Sequence, residues 1–138
     1  MPGPAAAQQW KLRGILLARP ATVRGITGDC QCTWQWYTLG LQHGAFRASV
    51  TLIHNGPVMA PSYAVLVSMA HNGVEMTNGQ VTCEVKQKRC GRTLRLSLAI
   101  RHAGVYYLLV HGEGSNSIAY SLSVKGNIYP LKCGIYCR

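Results

Sequence analysis

RHAGVYYLLVHGEGSNSIAYSLSV, residues 101–124, is the stretch whose reading decides the fold. Its second half alternates, with Ile118, Tyr120, Leu122 and Val124 on one face of an extended chain and Ala119, Ser121 and Ser123 on the other. Successive side chains of a strand point to opposite faces, so this period of two marks a strand between a core and solvent. The first half differs. Residues 105–110 are apolar or aromatic on both faces, the pattern of a strand in mid-sheet or one whose outer face is covered. Residues 112–117 (GEGSNS) are a cluster of turn formers, so the two strands read as a hairpin.

Outward from this stretch the alternation recurs. Leu94, Leu96, Leu98 and Ile100 fall inward against Arg95, Ser97 and Ala99. Residues 22–27 (TVRGIT) read as a short strand ending at Gly28-Asp29. In residues 30–44 (CQCTWQWYTLGLQHG), Tyr37, Leu39 and Leu41 share one face, Trp34, Trp36 and Thr38 take the other, and Gly44 closes the strand. Residues 48–53 turn Val50 and Leu52 inward before Asn55-Gly56-Pro57. The apolar run 63–69 is bounded by Pro61 and by His71-Asn72-Gly73. Residues 75–85 are polar, and Asn78-Gly79 within them is the strongest short hairpin signal of the chain. No stretch sustains a helical apolar period with caps, so helix should be scarce. About eight short strands, spaced by roughly 8–12 residues with turn signals between them, predict an all-β fold, an antiparallel β-sandwich of jelly-roll type. The expected organisation is an N-terminal arm or first strand (1–21, with 10–18 ordered), the sandwich (22–126), and a Cys-containing tail (127–138).

With 138 residues, 48% of them hydrophobic, the chain suffices for one domain with a real core. No apolar run approaches the ~18 residues of a transmembrane segment. Residues 1–9 read as a flexible lead-in, and not, as they stand, as a secretory signal peptide. The charge is lopsided, 14 Lys+Arg against 4 acidic residues for a net +10. Such a balance favours polyanionic partners, or else keeps the surface soluble or docks it within an assembly. The one dense run holds Lys86, Lys88, Arg89 and Arg92 and is the candidate polyanion contact. It lacks the interleaved aromatics of a base-stacking platform. An anionic glycan therefore suits it better than nucleic acid.

The six cysteines fall into local pairs, Cys30/Cys32, Cys83/Cys90 and Cys133/Cys137. An even count in a small β protein suggests disulfides and an oxidising compartment, extracellular or at the cell surface. A zinc site is the competing reading, but paired zinc ligands are usually separated by two or more residues, which Cys-x-Cys does not supply. Sequence admits many connectivities. The expected pairing is Cys83 with Cys90, and Cys30/Cys32 with Cys133/Cys137.

Catalytic constellations are missing from the pattern. The five histidines (His43, His54, His71, His102, His111) stand in no ligand-like spacing and read as surface residues. There is no G-x-S-x-G elbow, no phosphate-cradling glycine loop, and few carboxylates to orient a histidine or to work in pairs. The chain is expected not to be an enzyme and to need no cofactor. Trp34 and Trp36 are the foremost binding candidates, able to stack on sugar rings or anchor a protein interface if exposed. The alternative is that they pack beneath the N-terminal arm or beside Cys30/Cys32. Val105, Tyr107 and Leu109 raise the same question, because monomers rarely leave large apolar patches open.

The order TVRGIT … WQWYTLGLQHGAFRASVTL … TLRLSLAIRHAGVYYLLVHGEGSNSIAYSLSV resembles the bacterial pre-peptidase C-terminal domain over residues 22–126. The closing element matches best, at Ala103, Gly104, Tyr106, Leu108, Val110, Gly112, Tyr120, Leu122 and Val124. The resemblance implies a jelly-roll-type sandwich and an accessory role in substrate binding, secretion or assembly beside secreted enzymes. Two features depart from the family pattern. Gln35 stands where an acidic residue often precedes the aromatic, and the cysteine pairs are extra. Some members bind calcium through carboxylates, but Asp29, Glu75, Glu84 and Glu113 are the only acids here, so no metal is expected. The sequence thus predicts a non-catalytic structural or interaction module that self-assembles or docks into a larger assembly. The alternative is a module binding an anionic polymer.

Overall fold

Two β-sheets face each other across one apolar core in the computed structural model, which describes residues 14–53, 62–84, 93–114 and 117–131. Ten strands form among the described residues: β1 (Ile15–Leu17), β2 (Ala21–Thr27), β3 (Gln35–Leu41), β4 (Gly44–Ile53), β5 (Ser62–His71), β6 (Val74–Glu84), β7 (Thr93–Ile100), β8 (Gly104–Glu113), β9 (Ile118–Lys125) and β10 (Ile128–Tyr129). The larger sheet runs β1-β3-β8-β5-β6, and the smaller β2-β9-β4-β7. All neighbours are antiparallel except β1, which pairs parallel to β3. Because β8 holds one edge of β3, β1 and β10 share the other, opposite residues 37–39 and 40–41 respectively. The described parts of both flanks thereby join the larger sheet. The fold is the all-β sandwich expected.

Alternation builds the core. Tyr37, Leu39 and Leu41 of β3, Tyr106, Leu108 and Val110 of β8, and Val65, Val67 and Met69 of β5 are buried on the inner face of the larger sheet. Facing them lie Phe46, Ala48, Val50 and Leu52 of β4 and Tyr120, Leu122 and Val124 of β9. The Tyr37 and Tyr120 hydroxyls meet across the core at 2.6 Å, joining the two sheets by a hydrogen bond.

Four expectations are corrected. The turn-rich segment after β8 is not a hairpin loop, since β8 and β9 belong to different sheets. Both edges of β8 are taken by β3 and β5, and β9 lies in the facing sheet between β2 and β4. Asn78-Gly79 makes no turn and lies inside β6, paired with Ser68 and Val67. The hairpin turn is Asn72-Gly73, where both residues take positive φ (51° and 76°) as the tight type I′ turn requires. Gly44 opens β4 instead of closing β3. Finally, Cys30 pairs with Cys32, not with Cys133 or Cys137. A 3-10 turn at Gln31–Thr33 brings their Cα atoms to 5.1 Å, within disulfide reach, while the Cys32 N–H donates to Cys30 Sγ. Cys83 is also disulfide-bonded. Cys90, Cys133 and Cys137 lie outside the described residues.

Candidate interaction site

β3 and β8 run antiparallel in a register that sets Trp36 opposite Leu109, Thr38 opposite Tyr107 and Gly40 opposite Val105. These positions alternate with the core residues, so they share the outer face of the larger sheet. On the far side of β8, β5 continues the rows, with Leu66 opposite His111, Ser68 opposite Leu109 and Ala70 opposite Tyr107. Residues singled out in two separated stretches of sequence, Trp36, Val105, Tyr107 and Leu109, thus share one face of the larger sheet. Trp34 joins it at one end. Its N–H closes the 3-10 turn on Gln31 O, and its ring lies 4.6 Å from that of His111 at a tilt of 47°.

The face is unevenly covered. Thr38 and Tyr107 are buried although they point away from the core. At the Gly40 end the Tyr129 ring of β10 and the Leu131 side chain just beyond it lie over the sheet. A Cβ on Gly40 would stand 2.8 Å from the Tyr129 ring and 2.9 Å from the Leu131 side chain. Trp34, Trp36, Leu66, Val105, Leu109 and His111 remain half-buried. Gly14 backs the Trp36 main chain at a separation that leaves no room for a Cβ. Burial raises the pKa of the Tyr107 phenol above the ordinary tyrosine value, so the hydroxyl keeps its proton further into alkaline pH.

The histidines do not all lie on the surface as expected. His71 stacks on Tyr106 with ring centroids 4.1 Å apart, and its Nδ1–H donates to Val105 O at 2.9 Å. Its other nitrogen accepts from the Asn72 side chain. The Trp34 indole nitrogen and His111 Nδ1 are both shielded from solvent with no hydrogen-bond partner among the described residues. Leaving such groups unpaired costs about 1–3 kcal/mol each. Sequence reasoning missed His111 and Leu66 as members of this face, because only the β5–β8 register brings them to it. Lys86, Lys88, Arg89 and Arg92, the basic run, lie outside the described residues. Among the described residues no three His, Cys, Asp or Glu side chains gather as metal ligands. No helix there is long and apolar enough to cross a membrane.

No family model and no curated protein matches this sequence. Among solved structures, the fold is similar to the crystal structure of the pre-peptidase C-terminal domain of collagenase from Bacillus anthracis. The TM-score is 0.54 at 16% sequence identity, over 81% of this chain and 94% of that domain. Identity at this level carries the fold and nothing finer.

Proposed function

We propose that the chain is a non-catalytic interaction module that docks protein against the outer face of its larger sheet, as a homo-oligomer or within a larger extracellular or cell-surface assembly. The observation that carries the reading is the β3–β8 register, which gathers Trp36, Leu109 and Val105 beside Trp34 and Leu66 on a face turned away from the core. An outer sheet face in a free monomer is ordinarily polar, whereas here Trp34, Trp36, Leu66, Val105 and Leu109 are apolar and only half-covered by the chain's own residues, which leaves part of each for a contact. Aromatic anchors such as Trp are also enriched at the energetic centres of interfaces. The Cys30–Cys32 disulfide and the bonded Cys83 support an oxidising compartment. The similar solved structure is the pre-peptidase C-terminal domain of a collagenase, and the accessory role that the resemblance implies is in keeping with a non-catalytic module.

Light scattering on the natively purified protein, at low and at high salt, tests the reading. A stable oligomer or co-purifying complex that persists in high salt, and that Trp36→Ala or Leu109→Ala disperses, is the expected result, because apolar contacts are not screened by salt. A clean monomer at both salts overturns it.

A further inference from the structure

The smaller sheet presents a second surface of different chemistry. On its outer face the strand registers align Thr22, Ser123, Ser49 and Arg95 in one row, and Arg24, Ser121, Thr51 and Thr93 in the next. Lys125, Arg47 and Ser97 form a third row on the other side of the first. Arg24, Arg47, Arg95 and Lys125 are all exposed. None of β2, β4, β7 and β9 contains an acidic residue. Three of the chain's acids, Glu75, Glu84 and Glu113, lie on strands of the larger sheet, and Asp29 precedes β3.

Two features distinguish this surface from a merely soluble one. Arg47 and Lys125 stand directly opposite one another on β4 and β9. Opposed side chains on neighbouring strands hold their Cβ atoms only ~5 Å apart, and like charges there are destabilising. The repulsion is relieved when an anion lies between them. Beside the cations runs a hydroxyl ladder, in which Thr22 and Ser123 join at 2.6 Å and Thr51 and Thr93 at 3.1 Å. Arg95 sits diagonally from Arg47, about 7–8 Å away. Arg24 lies on the far edge strand two rows along, roughly 15 Å from Lys125 given ~4.8 Å between strands and ~7 Å between rows. A small anion cannot span that separation, whereas a polymer with repeated charges can.

We propose that this outer face binds a linear sulfated polysaccharide, with Arg47, Lys125 and Arg95 holding sulfates and the Ser/Thr rows hydrogen-bonding sugar hydroxyls. No aromatic side chain stands on the face, so it offers no platform for stacked bases. The surface lies opposite the one assigned above and does not depend on that reading.

Heparin titrated into the full chain, followed by calorimetry over a range of salt concentrations, tests the proposal. Four variants of equal folding stability are compared with wild type. R47S/R95S/K125S is expected to weaken heparin binding about tenfold or more and to reduce the salt slope by roughly two to three, since each neutralised cation removes about one released counterion. R101S, at an exposed site beyond the end of β7, and S49A/T51A serve as charge and hydroxyl comparisons. R101S should bind as wild type, and S49A/T51A should lose affinity with an unchanged salt slope. If R47S/R95S/K125S binds as wild type, or if K86S/K88S/R89S removes binding in its place, the proposal is wrong. Equal affinity for duplex DNA and for heparin at matched charge would also overturn it, by showing a surface indifferent to the sugar.

Discussion

Tyr120 occupies space that Gly25 leaves open, since the two stand opposite in the β2–β9 register and a Cβ on Gly25 would strike the Tyr120 ring and hydroxyl. The phenol so placed reaches the Tyr37 hydroxyl at 2.6 Å, in a core where both residues are fully buried. Burial drives both pKa values up. For Tyr120 the hydrogen bond and charge repulsion from Tyr37 add to the rise, while for Tyr37 the bond to Tyr120 pulls the other way without reversing it. The folded chain therefore keeps these protons at pH values where the unfolded chain, with tyrosines near 10, releases them. Their contribution is fully present below about pH 10 and is lost as pH rises beyond it, by at most about 1.4 kcal/mol per pH unit for each phenol. Denaturant unfolding between neutral pH and pH 11 should show stability falling above about pH 10, and Y37F/Y120F should flatten that fall. Parallel curves for the two proteins would mean that the pair does not govern alkaline stability. Y37F alone is expected to cost about 1–3 kcal/mol at neutral pH, because it strands the Tyr120 hydroxyl.

Strands are the scale at which the sequence is most legible, and partnership is where legibility stops. The alternation in residues 118–124 and 94–100 shows β9 and β7 because it reports only which side of a strand is wet. It is silent on which strand lies alongside, so an arch between sheets and a hairpin within one have the same pattern. The two Asn-Gly pairs show the same gap. Asn78-Gly79 reads as the stronger hairpin signal, yet the identical dipeptide Asn72-Gly73 makes the turn, and tertiary packing decides between them. A Cβ on Gly79 would sit 2.8 Å from Leu94 Cδ1, so that glycine accommodates β7 packed across β6, whereas nothing lies within 4 Å of a Cβ on Gly73. Replacing each by alanine should therefore destabilise for different reasons. G73A forces a left-handed φ on a residue with a side chain, at about 1–2 kcal/mol. G79A creates a contact that shortening Leu94 relieves. In double-mutant cycles read by urea unfolding, G79A should couple to L94A by about 0.5 kcal/mol or more, and G73A should not couple. Coupling of G73A with L94A, or none for G79A, would contradict the β6 register.

Across the whole molecule, each connection of the ordered strands changes sheet except that between β5 and β6, and this weaving separates the two surfaces. The outer face of the larger sheet is apolar and aromatic, and that of the smaller sheet is cationic and rich in hydroxyls. Net charge was readable from composition, but the basic face was not. Arg24, Arg47, Arg95 and Lys125 are scattered singly along the chain, and only the registers of four strands collect them. The apolar face is half legible, since alternation marks Trp36 and a run apolar on both faces marks Leu109, but only pairing joins them. Sheets in a sandwich pack ~10 Å apart with their outer side chains pointing in opposite directions, so partners on the two faces do not collide. Sites separated by more than ~7–10 Å with no shared partners are expected to act additively. W36A should then disperse the assembly while leaving heparin affinity unchanged, and R47S/R95S/K125S should lose heparin while leaving oligomer size unchanged. High salt should release the polysaccharide from a particle that stays assembled. If W36A also weakens heparin binding by more than about threefold, beyond the error of additivity, the polymer is held across several copies and the two faces form one composite surface in the assembly.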